Sequence, residues 1–383
     1  MNTQNTQGGL AVLDFPEPSL EELKISKNLE AFILETIEKK PSKSINFSEY
    51  MAHVLYHPNY GFYIREHAIF GEKGHFTTAP ESGPLLAEAI LNTCLNQEKL
   101  EPNIIEWGAG RGSMALQILN YYDLRNLKLD QYIIIEISPA LRKIQKSRIQ
   151  EAFPEFLDKC TWFGSPEAFL EQYPAGLNAL CIANEVLDAL PCERFLYTDK
   201  NFYKLAVGSK KNRNKNINSN LNLDFLLEPL EEFTIEKLKD FNFPEAYFSE
   251  INLNLNSWFR SVNRMLKKGE ILILDYGYLE PELYHPSRKR GTFLCYYKNR
   301  AHAQALLWPG LQDMTAHVNF SESLRLGEAL GWKLEYYGSQ GEFILESGLD
   351  FNNLDTSDLN ALKLLCFPSE QGHGIKVLKF SKN

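Results

Sequence analysis

Between residues 103 and 276 the chain alternates short apolar runs with amphipathic stretches. The runs NIIEW (103–107), QYIIIEI (131–137), CTWF (160–163), NALCIAN (178–184) and EILILDY (270–276) lack the polar alternation of a one-sided strand. They are predicted as strands buried on both faces. Helical stretches such as 113–120 and 138–151 separate them, which predicts an α/β fold: a mostly parallel, Rossmann-like sheet with helices on both sides. Two later runs, WKLEYYGS (332–339) and GIKVLKF (374–380), alternate more strictly and predict an antiparallel edge.

Before the first strand the pattern is helical. Leu20, Leu23, Ile33, Leu34 and Ile37 predict a helix over about 20–40, and Asn46-Phe47-Ser48-Glu49 can open a second one running through Leu55. HPNYGFYI (57–64) reads as a turn into an extended segment, and GEKGHFTTAPESGP (71–84) as a loop before a helix from Leu85 to Asn96. The expected organisation is therefore an N-terminal helical segment with a closing loop over 1–84, then a domain over 85–383 with insertions at about 196–260 and 277–320. The second insertion directly follows a predicted strand end, where open parallel sheets bind ligands, and is read as a cap. SKKNRNKNINSNLN (209–222) has few apolar groups and no interleaved aromatics, so it reads as a loop tip, not a nucleic-acid arm. There is no internal repeat.

Composition narrows the class. Hydrophobic residues make up 44% of the 383, enough to fill a globular core, and a net charge of -9 argues against a broad phosphate-binding surface. The six cysteines show no CxxC spacing, so they are read as structural free thiols, and no metal site is expected. No run approaches the roughly 18 apolar residues of a membrane span. The first residues carry no basic-then-apolar leader pattern, and a cytoplasmic location is the expectation.

The candidate chemistry begins at IIEWGAGRGSMALQIL (104–119). Gly108, Gly110 and Gly112 follow a predicted strand and precede a helix, where bare backbone and unpaired N–H groups suit a polar or anionic ligand. A dinucleotide fingerprint would place its third small residue at position 113, which is Ser113. Glu106 lies two residues before the first glycine. Glu136, 24 positions beyond Gly112, ends the next predicted strand, where a carboxylate can accept both hydroxyls of a ribose. The E-x-G-x-G-x-G pattern resembles that of S-adenosylmethionine-dependent methyltransferases.

Further segments extend the resemblance over most of the chain. They are FSEYMAHVLYHPNYGFY (47–63), GEKGHFTTAPE (71–81), IEISPALRKIQ (135–145), ANEVLDALPCERF (183–195), LDYGY (274–278) and WPGLQDMTAHVNF (308–320). In this order they resemble the MidA-like methyltransferases, a family that includes a mitochondrial complex I assembly factor acting on arginine. The resemblance implies S-adenosyl-L-methionine as cofactor, with Gly108, Gly110 and Gly112 near its methionine part and Glu136 on its ribose. It also implies a closing loop carrying Gly74, Thr78, Pro80 and Glu81. It further implies a protein acceptor, such as a respiratory-complex subunit. Two positions depart from the family pattern, His75 and Asn319, each where Asp is usual.

An arginine acceptor would be gripped by carboxylates. Asn184, Glu185 and Asp188 follow a predicted strand and are the acceptor-side catalytic candidates, with Asp275, Tyr276 and His317 as substrate-binding candidates. Helix capping is the plainer alternative for Asn184 and Asp188. His53 and His57 lack the Glu of a zinc-protease motif and read as packing and turn residues. Tyr60, Phe62 and Tyr63 fit either an aromatic core or an acceptor wall. Two other functions stay open on the residues alone: a non-catalytic cofactor-binding assembly protein, and a nicotinamide oxidoreductase, which the glycine spacing disfavours.

Overall fold

Seven strands form the central sheet of the computed structural model, which describes residues 16–65, 79–95, 103–210, 222–354, 356–367 and 371–383. They are β1 (Asn103–Trp107), β2 (Gln131–Ile135), β3 (Cys160–Phe163), β4 (Leu177–Asn184), β5 (Leu266–Tyr278), β6 (Lys333–Ser339) and β7 (Ile375–Lys382). The spatial order is β6-β7-β5-β4-β1-β2-β3, and Val318–Asn319 adds a short parallel pairing to the end of β5. β1 to β5 are mutually parallel, with Ile105 opposite both Ile133 and Cys181. Their apolar runs are continuous because both faces are covered. One core holds Ile104, Ile134, Ile182 and Leu272; the other holds Ile105, Ile133, Cys181 and Ile273.

The two C-terminal strands lie together at one side of the sheet, and β7 pairs antiparallel with both β5 and β6. Only β6 is the edge. The alternation in GIKVLKF marks no solvent face: Lys379 is 3% exposed and its Nζ lies 3.0 Å from Glu270 Oε1 on β5.

Helix α1 (Leu20–Lys39) begins at a capping box, Glu22 N–H donating to Ser19 Oγ at 3.2 Å and Ser19 N–H to Glu22 Oε2 at 2.7 Å. It and α2 (Phe47–Tyr56) do not form a separate unit, whereas α3 (Leu85–Leu95) packs on the sheet itself. Leu29, Ile33, Phe47, Tyr50 and Val54 share a core with Val207 of the first insertion and Cys295 and Met314 of the second. The first insertion is a five-stranded antiparallel sheet that includes Glu193–Thr198, Asn201–Ser209, Leu223–Pro229 and Tyr247–Ile251; its fifth strand, Ser44–Ile45, comes from the N-terminal segment. The second, sparse in sheet signals, contains a three-stranded sheet of Leu294–Tyr297, Arg300–His302 and Asp313–Thr315. The N-terminal segment and both insertions thus make one cap over the strand ends.

Among the described residues no helix is long and apolar enough to cross a membrane, and no cluster of side chains could hold a metal ion. All six cysteines are free thiols.

Candidate active site

The sheet reverses its direction of growth between β1 and β4, and a crevice opens where their carboxyl ends part. The two ends are close: a methyl group added at Gly108 would lie 3.1 Å from Val186 Cγ2. The crevice leads into a cleft of about 780 Å³, ample for a nucleoside and an acceptor side chain.

One half of the cleft is the glycine loop. Gly108, at φ +59°, donates its N–H to Ile135 O at 2.9 Å and so continues the ladder between β1 and β2. Gly110 follows in the cleft wall. Gly112 does not line the cleft; at φ +80° it starts helix α4 (Ser113–Leu124), with Gln145 of α5 (Pro139–Ala152) packed where a side chain would be. Glu106 and Glu136 both line the cleft and are nearly fully buried. Glu106 Oε2 accepts from Tyr132 Oη at 2.7 Å, while Glu136 accepts from Ser138 N–H at 2.9 Å and from Gln145 Nε2 at 3.2 Å. Burial pushes both carboxyls up to about 7, against these hydrogen bonds.

Pro80 and Glu81 also line the cleft, on a short turn at Ala79–Ser82 laid over the start of α4. Ser113 Oγ donates to Glu81 Oε1 at 2.6 Å, and Gln117 Nε2 to Pro80 O at 2.7 Å. Gly74, Thr78 and His75 lie outside the described residues.

Acidic and aromatic groups form the other half. No helix follows β4 directly, so neither Asn184 nor Asp188 is a helix cap; both line the cleft with Glu185. Glu185 sits at φ +51°, a conformation costing roughly 1–3 kcal/mol for a residue with a side chain and one that gathers at functional sites. Its N–H is anchored to Leu274 O at 2.8 Å and its Oε1 accepts from Asn184 Nδ2 at 3.3 Å. Asn184 Oδ1 is buried with no partner among the described residues. Burial, then the charge of Asp188, pushes Glu185 up to about 8. Burial, then the charges of Asp275 and Asp313, holds Asp188 well above the ordinary range.

Asp275 is fully buried and does not reach the cleft, contrary to the substrate-binding role expected for it. Its Oδ2 accepts from the N–H groups of Val186, Leu187 and Asp188 at 3.1, 2.8 and 3.3 Å. It shapes the turn that presents Glu185 and Asp188. Tyr276 and His317 do line the cleft, stacked with ring centroids 6.1 Å apart. Burial, then Arg288, lowers the His317 imidazole to about 4, so it is neutral. Asn319 does not line the cleft: it caps the helix Phe320–Ala329, Oδ1 accepting from Glu322 N–H at 2.9 Å. An Asp there could cap in the same way, so that departure leaves the fold intact. His53 packs on Phe32 and His57 Nδ1 accepts from the turn N–H groups of Asn59 and Tyr60.

Sequence reasoning missed Tyr56, Tyr296 and Asp313 and left Tyr63 undecided; all four line the cleft. Tyr56 and Tyr63 stack at 5.8 Å, and Tyr63 Oη donates to Asp313 Oδ1 at 2.8 Å. Burial raises Asp313 to about 6, with the Tyr63 hydroxyl working against it. Three of the four lie in segments that carry the family resemblance, which is the signal that could have found them.

Arg111 is the one Arg or Lys among the described lining residues. Buried carboxylates without counter-charges are costly, so this wall favours a cationic occupant.

Residues 85–338 match the family described as "Putative S-adenosyl-L-methionine-dependent methyltransferase". The mitochondrial protein arginine methyltransferase NDUFAF7 of Xenopus tropicalis is 26% identical over 335 residues, 81% of this chain and 74% of that protein. Its Drosophila melanogaster homolog is 26% identical over 337 residues, 80% of this chain and 70% of that one. A Burkholderia thailandensis protein solved with S-adenosyl-homocysteine bound superposes with a TM-score of 0.86 at 28% identity, covering 96% of this chain and 95% of that one.

Proposed function

Because the chain belongs to the S-adenosyl-L-methionine-dependent methyltransferase family that its residues 85–338 match, we propose that it methylates an arginine side chain of a partner protein. The observation that carries the acceptor is the wall of Glu185, Asp188 and Asp313, one half-buried and two buried carboxyls in a cleft whose lining has one arginine and no lysine among the described residues. The relatives named protein arginine methyltransferase support the same reading.

The residues present fit the cofactor. The loop at Gly108 and Gly110 offers bare backbone beside a helix start, as an amino-acid moiety needs, and Glu136 is a buried carboxylate at a strand end, as a ribose needs. Glu106, Pro80 and Glu81 border the same half. When bound, the cofactor supplies an electrophilic methyl group on a sulfonium whose leaving group is neutral.

The protein's part is then alignment, charge matching and exclusion of water. Glu185 and Asp188 hold the cationic acceptor, and Asn184 fixes Glu185 through its amide. The proton that an arginine nitrogen gives up on methylation is taken by a carboxylate oxygen of this wall, whose affinity for protons burial has raised. The Tyr56–Tyr63 stack and Tyr276 close the aromatic sides.

The partner implied by the sequence resemblance, a respiratory-complex subunit, belongs to this proposal, as does a cytoplasmic location. Incubating the protein with radiolabelled S-adenosyl-L-methionine and cell lysate, then hydrolysing the labelled band, tests it. Methylarginine in the hydrolysate is expected; label in another amino acid, or in no protein at all, refutes the arginine reading.

A further inference from the structure

Two segments that lie outside the central sheet complete the acceptor wall that Glu185 and Asp188 begin after β4. Asp313 comes from the three-stranded sheet of the second insertion and is 2% exposed. Its Oδ1 is committed twice, to Tyr63 Oη at 2.8 Å and to Met314 N–H at 2.9 Å. Among the described residues no donor reaches Oδ2, although the residue lines the cleft. Tyr296 lies opposite Asp313 in the antiparallel ladder, so the two side chains share a face at the cleft. Tyr63 is delivered by the N-terminal segment, stacked on Tyr56, whose hydroxyl is itself fixed by Ala189 O at 2.9 Å.

We infer that Asp313 is the specificity-determining carboxylate of the acceptor subsite, its Oδ2 receiving a guanidinium N–H, and that Tyr63 is the positioning residue that fixes which oxygen is offered. This inference rests on the arginine reading above. A carboxylate held on one side by a hydroxyl and a backbone N–H cannot turn to meet its ligand, so it presents one oxygen in one direction. Such an oxygen, buried and facing a cleft, rewards a charged N–H donor and discriminates against a neutral isostere of the same shape. The stacked tyrosines add faces on which a planar cation can lie. Were Asp313 only a tether for the Met314 backbone and Tyr63, it would stabilise the cap and be indifferent to the charge of the acceptor.

The test measures binding, not turnover. Protein saturated with S-adenosyl-homocysteine is titrated with acetyl-arginine amide and with the neutral isostere acetyl-citrulline amide, in the wild type, Asp313→Asn and Tyr63→Phe. The wild type is expected to prefer the arginine amide by at least about tenfold. Asp313→Asn is expected to bring that ratio close to one with S-adenosyl-homocysteine affinity unchanged, Asp313→Glu to restore part of it, and Tyr63→Phe to reduce it several-fold. An Asp313→Asn protein that keeps both its cofactor-product affinity and the wild-type ratio overturns the inference. Should Asp313→Asn lose S-adenosyl-homocysteine binding through misfolding, an unchanged ratio in Tyr63→Phe overturns it instead. A wild type that treats the two amides alike removes the arginine reading itself.

Discussion

Gln145 and Glu136 are joined by a 3.2 Å hydrogen bond from the Gln145 amide to Glu136 Oε2, and the same nitrogen donates at 2.8 Å to Gly110 O. One side chain of α5 thus fixes the spacing between the carboxylate after β2 and the glycine loop after β1, while Trp162 Nε1 holds the amide oxygen at 3.0 Å. Replacing it by Leu keeps the bulk and removes the link. Gln145→Leu is expected to weaken S-adenosyl-L-methionine binding about tenfold by calorimetry. A dissociation constant equal to the wild type's would show that the loop holds its position without it.

Glu136 itself is expected to matter more. On the proposed reading Glu136 accepts two ribose hydroxyls, so Glu136→Ala should weaken cofactor binding by more than about tenfold, since hydrogen bonds to charged groups are worth about 1.5–3 kcal/mol each. Titration of the variant with S-adenosyl-L-methionine checks this, and unaltered affinity would take Glu136 out of the site.

At Gly108 a side chain meets two obstacles: a backbone at φ +59° and Val186 Cγ2 at 3.1 Å. Gly108→Ala is expected to cost about 1–2 kcal/mol in denaturant unfolding from the left-handed conformation alone. Adding Val186→Ala should relieve the crowding and leave the conformational part, so the double variant recovers only some stability. Full recovery would mean the backbone there is unstrained.

The buried carboxyls give a pH dependence of definite sign. Glu106 and Glu136 at about 7, Glu185 at about 8 and Asp313 at about 6 all lie above their unfolded values near 4, so between those limits the folded protein binds more protons than the unfolded one. Stability of the ligand-free protein should therefore fall as pH rises from about 5 to 8. A cationic ligand favours the ionised carboxyls, so S-adenosyl-L-methionine should raise the melting temperature more at pH 7.5 than at pH 5.5. Melting curves with and without ligand at both pH values decide it, and equal ligand shifts would contradict the assignment.

Lys379 and Glu270 form a buried ion pair, 3% and 5% exposed, to which Cys94 Sγ adds a hydrogen bond at 3.0 Å. Lys379→Ala strands the Glu270 charge inside the sheet and is expected to cost about 3–5 kcal/mol. Lys379→Met combined with Glu270→Leu should cost far less, because no unpaired charge remains. Denaturant unfolding of the two variants makes the comparison, and equal losses would assign the effect to packing.

The runs NIIEW, QYIIIEI and NALCIAN were legible as buried parallel strands because helices cover both faces of the sheet, which suppresses alternation. β7 misled for the same physical reason in reverse: Lys376 and Lys379 suggest a solvated strand, yet both are buried, and Lys379 pairs with Glu270 of β5. The second insertion was legible as a cap, but its union with the N-terminal segment was not, because that core is assembled between segments, Met314 sharing it with Leu29, and periodicity within one segment cannot report such packing.

The sequence by itself determined the sheet, the glycine loop and the place of Glu136 and Glu185 at strand ends, since spacing along one chain fixes which residues emerge at the same edge. It also carried the cofactor class. Only the tertiary structure decided what faces the cofactor half: Tyr63 and Asp313 stand 250 positions apart and meet through one hydroxyl, while Asp275 turns its carboxylate to three backbone N–H groups behind the wall. Whether a carboxylate faces a ligand or a backbone depends on which donors the fold brings within reach, and no local pattern encodes that.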